Sequence, residues 1–401
     1  MKKLLINILE VSIGVFLILL IILCIRYKAN IVDYFFDRSE TTLSDKVVEE
    51  TQDPELQSQD IAKTDTVTSE LDNVQIEDDI INTKPISNEP EEVKTANLVF
   101  TGDVLLTGYL LGQYDASGIN GIVSADIVDE MTNADLTMVN EEFPFSDRGT
   151  AMEDKQYTFR IDPERVQVFN DLGIDIVTLA NNHVLDYGQE ALVDTFDTLD
   201  NAKIQYVGAG NNYDEAKQLR EFEINDKKIG VLAASRVIPI ASWAAGTSPG
   251  VFSTYDASGL VEEIKKADSL CDIVIVYVHW GIEKNEYPED YQRKLAKQYI
   301  DAGADIVIGS HPHVLQGIEY YNGKPIIYSL GNFVFGSQIP KTVLLKVELD
   351  EENNIGLSVK SCATDSNYIA NKASNEQEIY QYLTDISSNA TVDENGNIAE
   401  Q

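Results

Sequence analysis

Four histidines are the only imidazoles in this 401-residue chain, and each follows an apolar run of β-like composition. His183 closes DIVTLANNH, His279 closes DIVIVYVH, and His311 and His313 follow DIVIGS as His-Pro-His. Two histidines two apart, straight after a buried strand, point the same way. Other strand ends supply oxygen donors: Asp103 after NLVFTG, Asn140 and Glu142 after DLTMV, and Asn182 beside His183. Carboxylate, amide and imidazole without thiolate suit divalent Mn, Fe, Zn or Mg. The set is too large for one tetrahedral ion. It matches two ions sharing a carboxylate, spaced to clamp the attacking and leaving oxygens of a phosphoryl or similar centre. His183 and His279 are also candidate catalytic acid–base groups, since imidazole titrates near neutral pH. Around this set, Asp186 is placed to orient His183 and Glu283 to orient His279. Asn332 is placed to bond a ligand histidine or a substrate, and Arg160 to hold an anion. Alone, each of these residues has a plainer reading as a turn residue, a cap or a packed side chain. The pair His311 and His313 resists that reading most.

The elements that must position these residues are short apolar strands alternating with helices. Strands are expected at 97–101, 135–139, 175–179, 204–207, 272–278 and 306–308, with helices at 126–131, 162–172, 189–199, 257–267 and 289–302. Such alternation gives βαβ units, an α/β fold and a largely parallel core. Runs that are apolar throughout are buried on both faces. Hairpins at 222–233 and 317–330, and closing strands at 342–349 and 355–361, add antiparallel edges or a second sheet. Residues 236–255 read as irregular, and residues 366–401 as a polar, peripheral tail with one helix at 375–383. In α/β sheets ligands bind outside the carboxyl ends of the strands, where all the candidate residues fall.

Bulk composition narrows the partners. A net charge of −37 excludes nucleic acid and docking on anionic lipid, both of which need a basic surface. A polyanionic substrate must then be held by metal ions or by a local cluster of Lys and Arg. Three cysteines, Cys24, Cys271 and Cys362, make no disulfide framework. Met1-Lys2-Lys3 precedes an apolar run to Ile25, long enough to cross a bilayer at ~20 residues, and no small-x-small cleavage site follows it. The expectation is an uncleaved single-pass anchor at residues 1–28, with the remainder outside the cell. From Asp33 to Lys94 there are 18 acidic and 5 basic residues and no Gly or Trp, which reads residues 29–95 as an extended acidic tether.

NLVFTGDVLLTG, VNEEFPF, TLANNHVLDYG, VHWGIE, GADIVIGSHPHVLQGIE and YSLGNFVF together resemble the CapA family of capsule and poly-γ-glutamate synthesis proteins, from about Asn97 to about Phe335. That family is in turn similar to calcineurin-like metallophosphoesterases. The resemblance implies a four-layer α/β/β/α sandwich over residues 96–365 with a two-metal site at one edge. It places Asp103, Asn182, His183, His279, His311 and His313 at ligand or catalytic positions, and Glu142 in place of the bridging Asp. Leu105 stands where phosphoesterases carry a further His, and Asn140-Glu141-Glu142 replaces their second Gly-Asp. Three functions follow as expectations. The first is a membrane-anchored protein that assists synthesis or export of an anionic polymer such as poly-γ-glutamate, alongside membrane polymer-synthase subunits. The second is a metal-dependent hydrolase of phosphoesters or of an amide-linked polymer. The third is a scaffold with a vestigial site.

Overall fold

The computed structural model describes residues 94–401, so the expected anchor and all but the last two residues of the expected tether lie outside the described residues. Among the described residues, no helix is long and apolar enough to cross a membrane.

In chain order the strands are β1 (Ala96–Val104), β2 (Leu136–Glu141), β3 (Ile176–Thr178), β4 (Gln205–Val207), β5 (Ala209–Gly210), β6 (Arg220–Ile224), β7 (Lys227–Ser235), β8 (Gly250–Val251) and β9 (Ile273–His279). They continue with β10 (Ile306–Ser310), β11 (Leu315–Tyr321), β12 (Lys324–Leu330), β13 (Asn332–Val334), β14 (Thr342–Leu349), β15 (Ile355–Thr364), β16 (Ala370–Lys372), β17 (Ala390–Val392) and β18 (Asn397–Glu400). One sheet runs β17-β18-β15-β14-β1-β2-β3-β4, with β13 beside β1 and β16 beside β15. The other runs β11-β12-β10-β9-β7-β6. Both have parallel centres, β1 to β4 in the first and β7-β9-β10-β12 in the second. Antiparallel strands lie at the flanks.

A repeated sequence device registers the parallel strands. Asp135, Asp175, Asp272 and Asp305 each precede an apolar strand, and each carboxylate accepts the backbone N–H of a residue in the neighbouring strand at 2.8 Å. The Asp thus marks the amino end of a strand and ties it to its partner in one step. Asn225 and Asp226, with φ of 52° and 67°, form the tight turn between β6 and β7. The helix Asp290–Asp301 begins with a reciprocal capping box between Glu289 and Gln292.

The sheets pack face to face. Leu98, Phe100, Met138 and Ile176 of one sheet share a core with Val231, Ile275 and Ile308 of the other. The outer face of the first sheet buries Val139 and Val177 against Leu110, Ile127, Phe169 and Leu199 from helices. The outer face of the second buries Val276 and Val307 against Leu260, Ile264 and Tyr299. The layers are therefore α/β/β/α.

Three departures from the sequence reading have physical causes. The helix Gly108–Ser117 has no marked amphipathic period, and its start is set by Thr107, whose hydroxyl accepts from Leu110 N. The predicted helix over 162–172 begins as a 3-10 turn at Pro163–Val166, where the Asp162 carboxylate accepts from Glu164 N. The stretch after 366 is not peripheral. Ile379, Tyr380, Leu383 and Ile386 of the helix Glu376–Ile386 enter the core between the sheets. Ser387 and Asn389 side chains then bond the backbone of Ile318 and Tyr320, covering the edge of β11.

Candidate metal centre

The carboxyl ends of β1, β2 and β3 meet those of β9 and β10, and Asp103, Asn140, Glu142, Asn182, His183, His279, His311 and His313 converge there, all nearly buried apart from His313. Local backbone features aim them. The β1–β2 register shifts between Phe100 and Asp103, a bulge that re-aims the end of β1. Gly102 is required at that bulge, because a Cβ there would lie 1.8 Å from Gly331 O. His311 and His313 adopt positive φ, 93° and 57°, an uncommon conformation that concentrates at functional sites.

An amide network orders the first-sheet side. Asn140 Nδ2 donates to Asp103 Oδ1 at 2.8 Å, and Asn181 Nδ2 donates to Asn140 Oδ1 at 3.0 Å. Asn181 Oδ1 accepts from His183 N at 2.9 Å and so shapes the turn that presents Asn182 and His183. His183 Nδ1 lies 2.8 Å from Asp186 Oδ2, an arrangement that leaves Nε2 free. On the other side, His279 Nε2 lies 2.7 Å from Asn182 Oδ1, and its Nδ1 lies 3.0 Å from Ser310 Oγ. His313 Nδ1 lies 2.7 Å from Asn332 Oδ1 and 3.1 Å from Asp103 Oδ2.

Burial leaves several donor atoms of the site without hydrogen-bond partners. Both Glu142 carboxylate oxygens and His311 Nδ1 are buried without a hydrogen-bond partner among the described residues. Burial, then the Asp103 charge, pushes the Glu142 carboxyl well above its usual range. Burial and the neighbouring imidazoles hold His279 well below neutral and lower His311 to about 3, and burial lowers His183. These three therefore keep their lone pairs. Burial also opposes charge on His313, but the Glu142 and Asp103 carboxylates outweigh it and raise the imidazole to about 9. Glu141 lies between Asn140 and Glu142 and points to the opposite face by strand alternation. It is equally buried, and burial raises its carboxyl well above the usual range.

Two groups of side chains fit a cation. Glu142, His279 and His311 form one, and Asp103, Glu142 and His313 the other, with ligand atoms in each within 4.8 Å of one another. Glu142 is common to both, and an orphaned buried carboxylate is the feature a bound cation would satisfy. His313 must lose its proton to offer a lone pair, so metal uptake should release protons and affinity should rise as pH climbs towards about 9. Titrating Mn²⁺ at pH 6.5 and 8.5 checks this, and equal affinity at both would contradict it.

The expected supporting residues divide. Asp186 and Asn332 bond His183 and His313. Glu283 is exposed and does not reach His279, whose partners are Ser310, Asn182 and Asn140. A spacing of four orients a neighbour on a helix, but the chain here leaves β9 into a turn. Arg160 Nη1 donates to Arg148 O and Gly149 O, and the guanidinium stacks 4.3 Å from the Tyr187 ring.

Sequence reasoning missed Lys155, Asn181 and Ser310. Asn181 was visible as the neighbour of Asn182. Lys155 carried no periodicity, since it lies in an irregular strap between Phe145 and Ile161. Its ammonium donates to Asn182 O and Asp186 Oδ1 and lies 3.0 Å from His183 Nδ1. Met152 N and Phe159 N tie the same strap to Asp186 at 2.8 Å each. Lys155→Met should weaken Mn²⁺ binding by about 10–100-fold, the range for residues that hold a ligand in place. Equilibrium dialysis measures this, and unchanged affinity would remove Lys155 from the account.

Fold and centre together define a two-sheet α/β/β/α protein with a carboxylate–imidazole site at the strand ends. The sequence model of the bacterial capsule synthesis protein PGA_cap matches residues 97–337, and the chain belongs to that family. It is 34% identical over 256 residues to the PGA biosynthesis protein CapA of Bacillus subtilis, a match covering 63% of this chain and 66% of that one. It is 31% identical over 258 residues to the capsule biosynthesis protein CapA of Bacillus anthracis, covering 63% and 62%. The matched part thus spans less than two thirds of each relative. Among solved structures, a phosphatase of Mycoplasma pneumoniae aligns with a TM-score of 0.46 at 15% identity, covering 69% of this chain and 97% of that one. A 5′-nucleotidase of Candida albicans aligns with a TM-score of 0.40 at 12% identity, covering 68% and 52%.

Proposed function

We propose that this chain assists the synthesis, handling or export of an anionic capsule polymer such as poly-γ-glutamate, using a divalent-metal centre to hold carboxylate or phosphate groups. Residues 1–28 anchor it in the cell membrane and residues 29–95 tether the folded part outside, where it meets membrane polymer-synthase subunits. The observation that carries the reading is Glu142: a buried carboxylate with no hydrogen-bond partner among the described residues, common to two candidate ion sites, in a chain of the capsule synthesis family. When bound, the ions supply Lewis-acid polarisation of a carboxylate or phosphoryl oxygen. The protein's own groups do the rest. Asp103 and Glu142 would hold the ions through carboxylate oxygens, with His311, His279 and deprotonated His313 as imidazole donors and Asn182 ordering His279 through its Oδ1. The test is a gene deletion complemented with wild type or with His311→Ala. Surface polymer should fall in the deletion and return only with wild type; unchanged polymer in the deletion contradicts the proposal.

A hydrolase is the second reading, favoured by His183. Its Nδ1 faces Asp186, so its Nε2 carries the free lone pair and can take a proton from an attacking water and pass it on to the leaving group, with His279 close by on Asn182. Mn²⁺-dependent turnover of a generic phosphodiester or of polyglutamate, lost in His311→Ala, supports it. No turnover on either substrate counts against it.

A further inference from the structure

Beside the centre lies a cavity of about 130 Å³ that shares His313 and Asn332 with it as lining residues. Leu315 and Ile339 line it with apolar surface, and Lys284 and Lys341 border it. In a chain with a net charge of −37, two lysines at one small cavity are a local reversal of sign. Lys284 is exposed and makes no ion pair among the described residues, whereas Lys341 lies 3.3 Å from Glu286 and over the Tyr382 ring. The position of Lys284 is built in. It adopts a left-handed φ of 64°, and its backbone N–H donates to Pro312 O, between the two histidines, at 2.8 Å. The next residue, Asn285, accepts from Gln316 Nε2 at 2.9 Å, so the loop is fastened on both sides of the cavity. A non-glycine residue held at positive φ needs such support, and it fixes where the side chain starts.

Size and lining restrict the occupant. The volume is under the ~300–1,000 Å³ of a pocket for a drug-sized ligand such as a nucleoside. A lining that combines apolar residues with two lysines matches methylene groups ending in a carboxylate. We infer that this cavity is a carboxylate subsite, which takes the side chain of one short aliphatic acidic unit while the adjoining unit of the same chain lies at the metal centre. The inference rests on the polymer reading above and names the contact through which an acidic polymer is kept in register.

The test uses the full-length chain in detergent micelles, with calorimetry on two probes: glutarate and a γ-linked glutamate tetrapeptide. Both should bind wild type, and both should bind about tenfold more weakly to Lys284→Gln, the loss of one charge-assisted contact. The double variant Lys284→Gln/Lys341→Gln should bind weaker still. Metal content and thermal midpoint should not change, because Lys284 is exposed and lies outside the ligand set. The tetrapeptide with its carboxylates amidated should not bind. Equal affinities in wild type and variants overturn the subsite, as does equal binding of the amidated peptide or displacement of glutarate by an equal concentration of inorganic phosphate. Lysine-dependent glutarate binding that the tetrapeptide cannot displace upholds the subsite and overturns the polyglutamate reading. Tight tetrapeptide binding without lysine dependence does the reverse.

Discussion

Glu142→Gln should lose both ions at once. Glu142 is the one side chain common to the Asp103–His313 and His279–His311 groups, so its charge would serve an ion in either. Glutamine keeps the shape and removes the charge, and the loss in affinity should exceed the ~10–100-fold typical of residues that only support a ligand. Stability should move the other way. The wild-type carboxyl is buried, without a hydrogen-bond partner among the described residues and raised well above its usual range despite His313 nearby, so its ionisation opposes folding of the metal-free chain above the ordinary carboxylate pKa. Removing it should leave the metal-free variant melting at or above metal-free wild type. Added Mn²⁺ should raise the midpoint of wild type and leave the variant unmoved, by mass action on the folded state. Calorimetric melts with and without Mn²⁺ read both effects. A variant that still gains stability from Mn²⁺ contradicts the shared-carboxylate arrangement.

Ending the chain after residue 365 should abolish cooperative folding. The lost segment contributes Ile379, Tyr380, Leu383, Ile386 and Ile398 to the core between the sheets. Burying one Leu or Ile is worth ~1.5–3 kcal/mol, so together these approach the whole ~5–15 kcal/mol net stability of a typical protein. The truncation also strips β17 and β18 from one sheet and the cover from β11 of the other. Such an exposed edge invites aggregation. Far-ultraviolet circular dichroism against temperature should show a sloping, non-cooperative loss of signal. A sharp transition near that of the full chain would mean the segment is dispensable.

What the sequence disclosed and what it hid follow one physical division. The parallel strands were legible because burial on both faces forces unbroken apolar runs, as in Ile273–His279. The centre was legible because a parallel strand presents its residues at the carboxyl end, so Asp103, Glu142, His279 and His311 could be grouped from strand ends alone. Residues whose role depends on a loop's path were not legible. Lys155 arrives from an irregular strap, and Arg160 points to the strap's own carbonyls. Glu283 is exposed in the turn after His279. The closing segment misled because its charged residues are frequent while its apolar ones fall on a single helical face. That face is what the inter-sheet core buries.

The central claim is that Glu142 joins two ion sites in one buried centre. Metal analysis of the purified full-length chain after equilibration with Mn²⁺, set beside Glu142→Gln, tests it most directly. The account predicts about two divalent ions per wild-type chain, as a shared-carboxylate clamp requires, and almost none in the variant. Wild-type chain that stays metal-free while it still restores surface polymer to a deletion strain would contradict the account and leave a scaffold with a vestigial site.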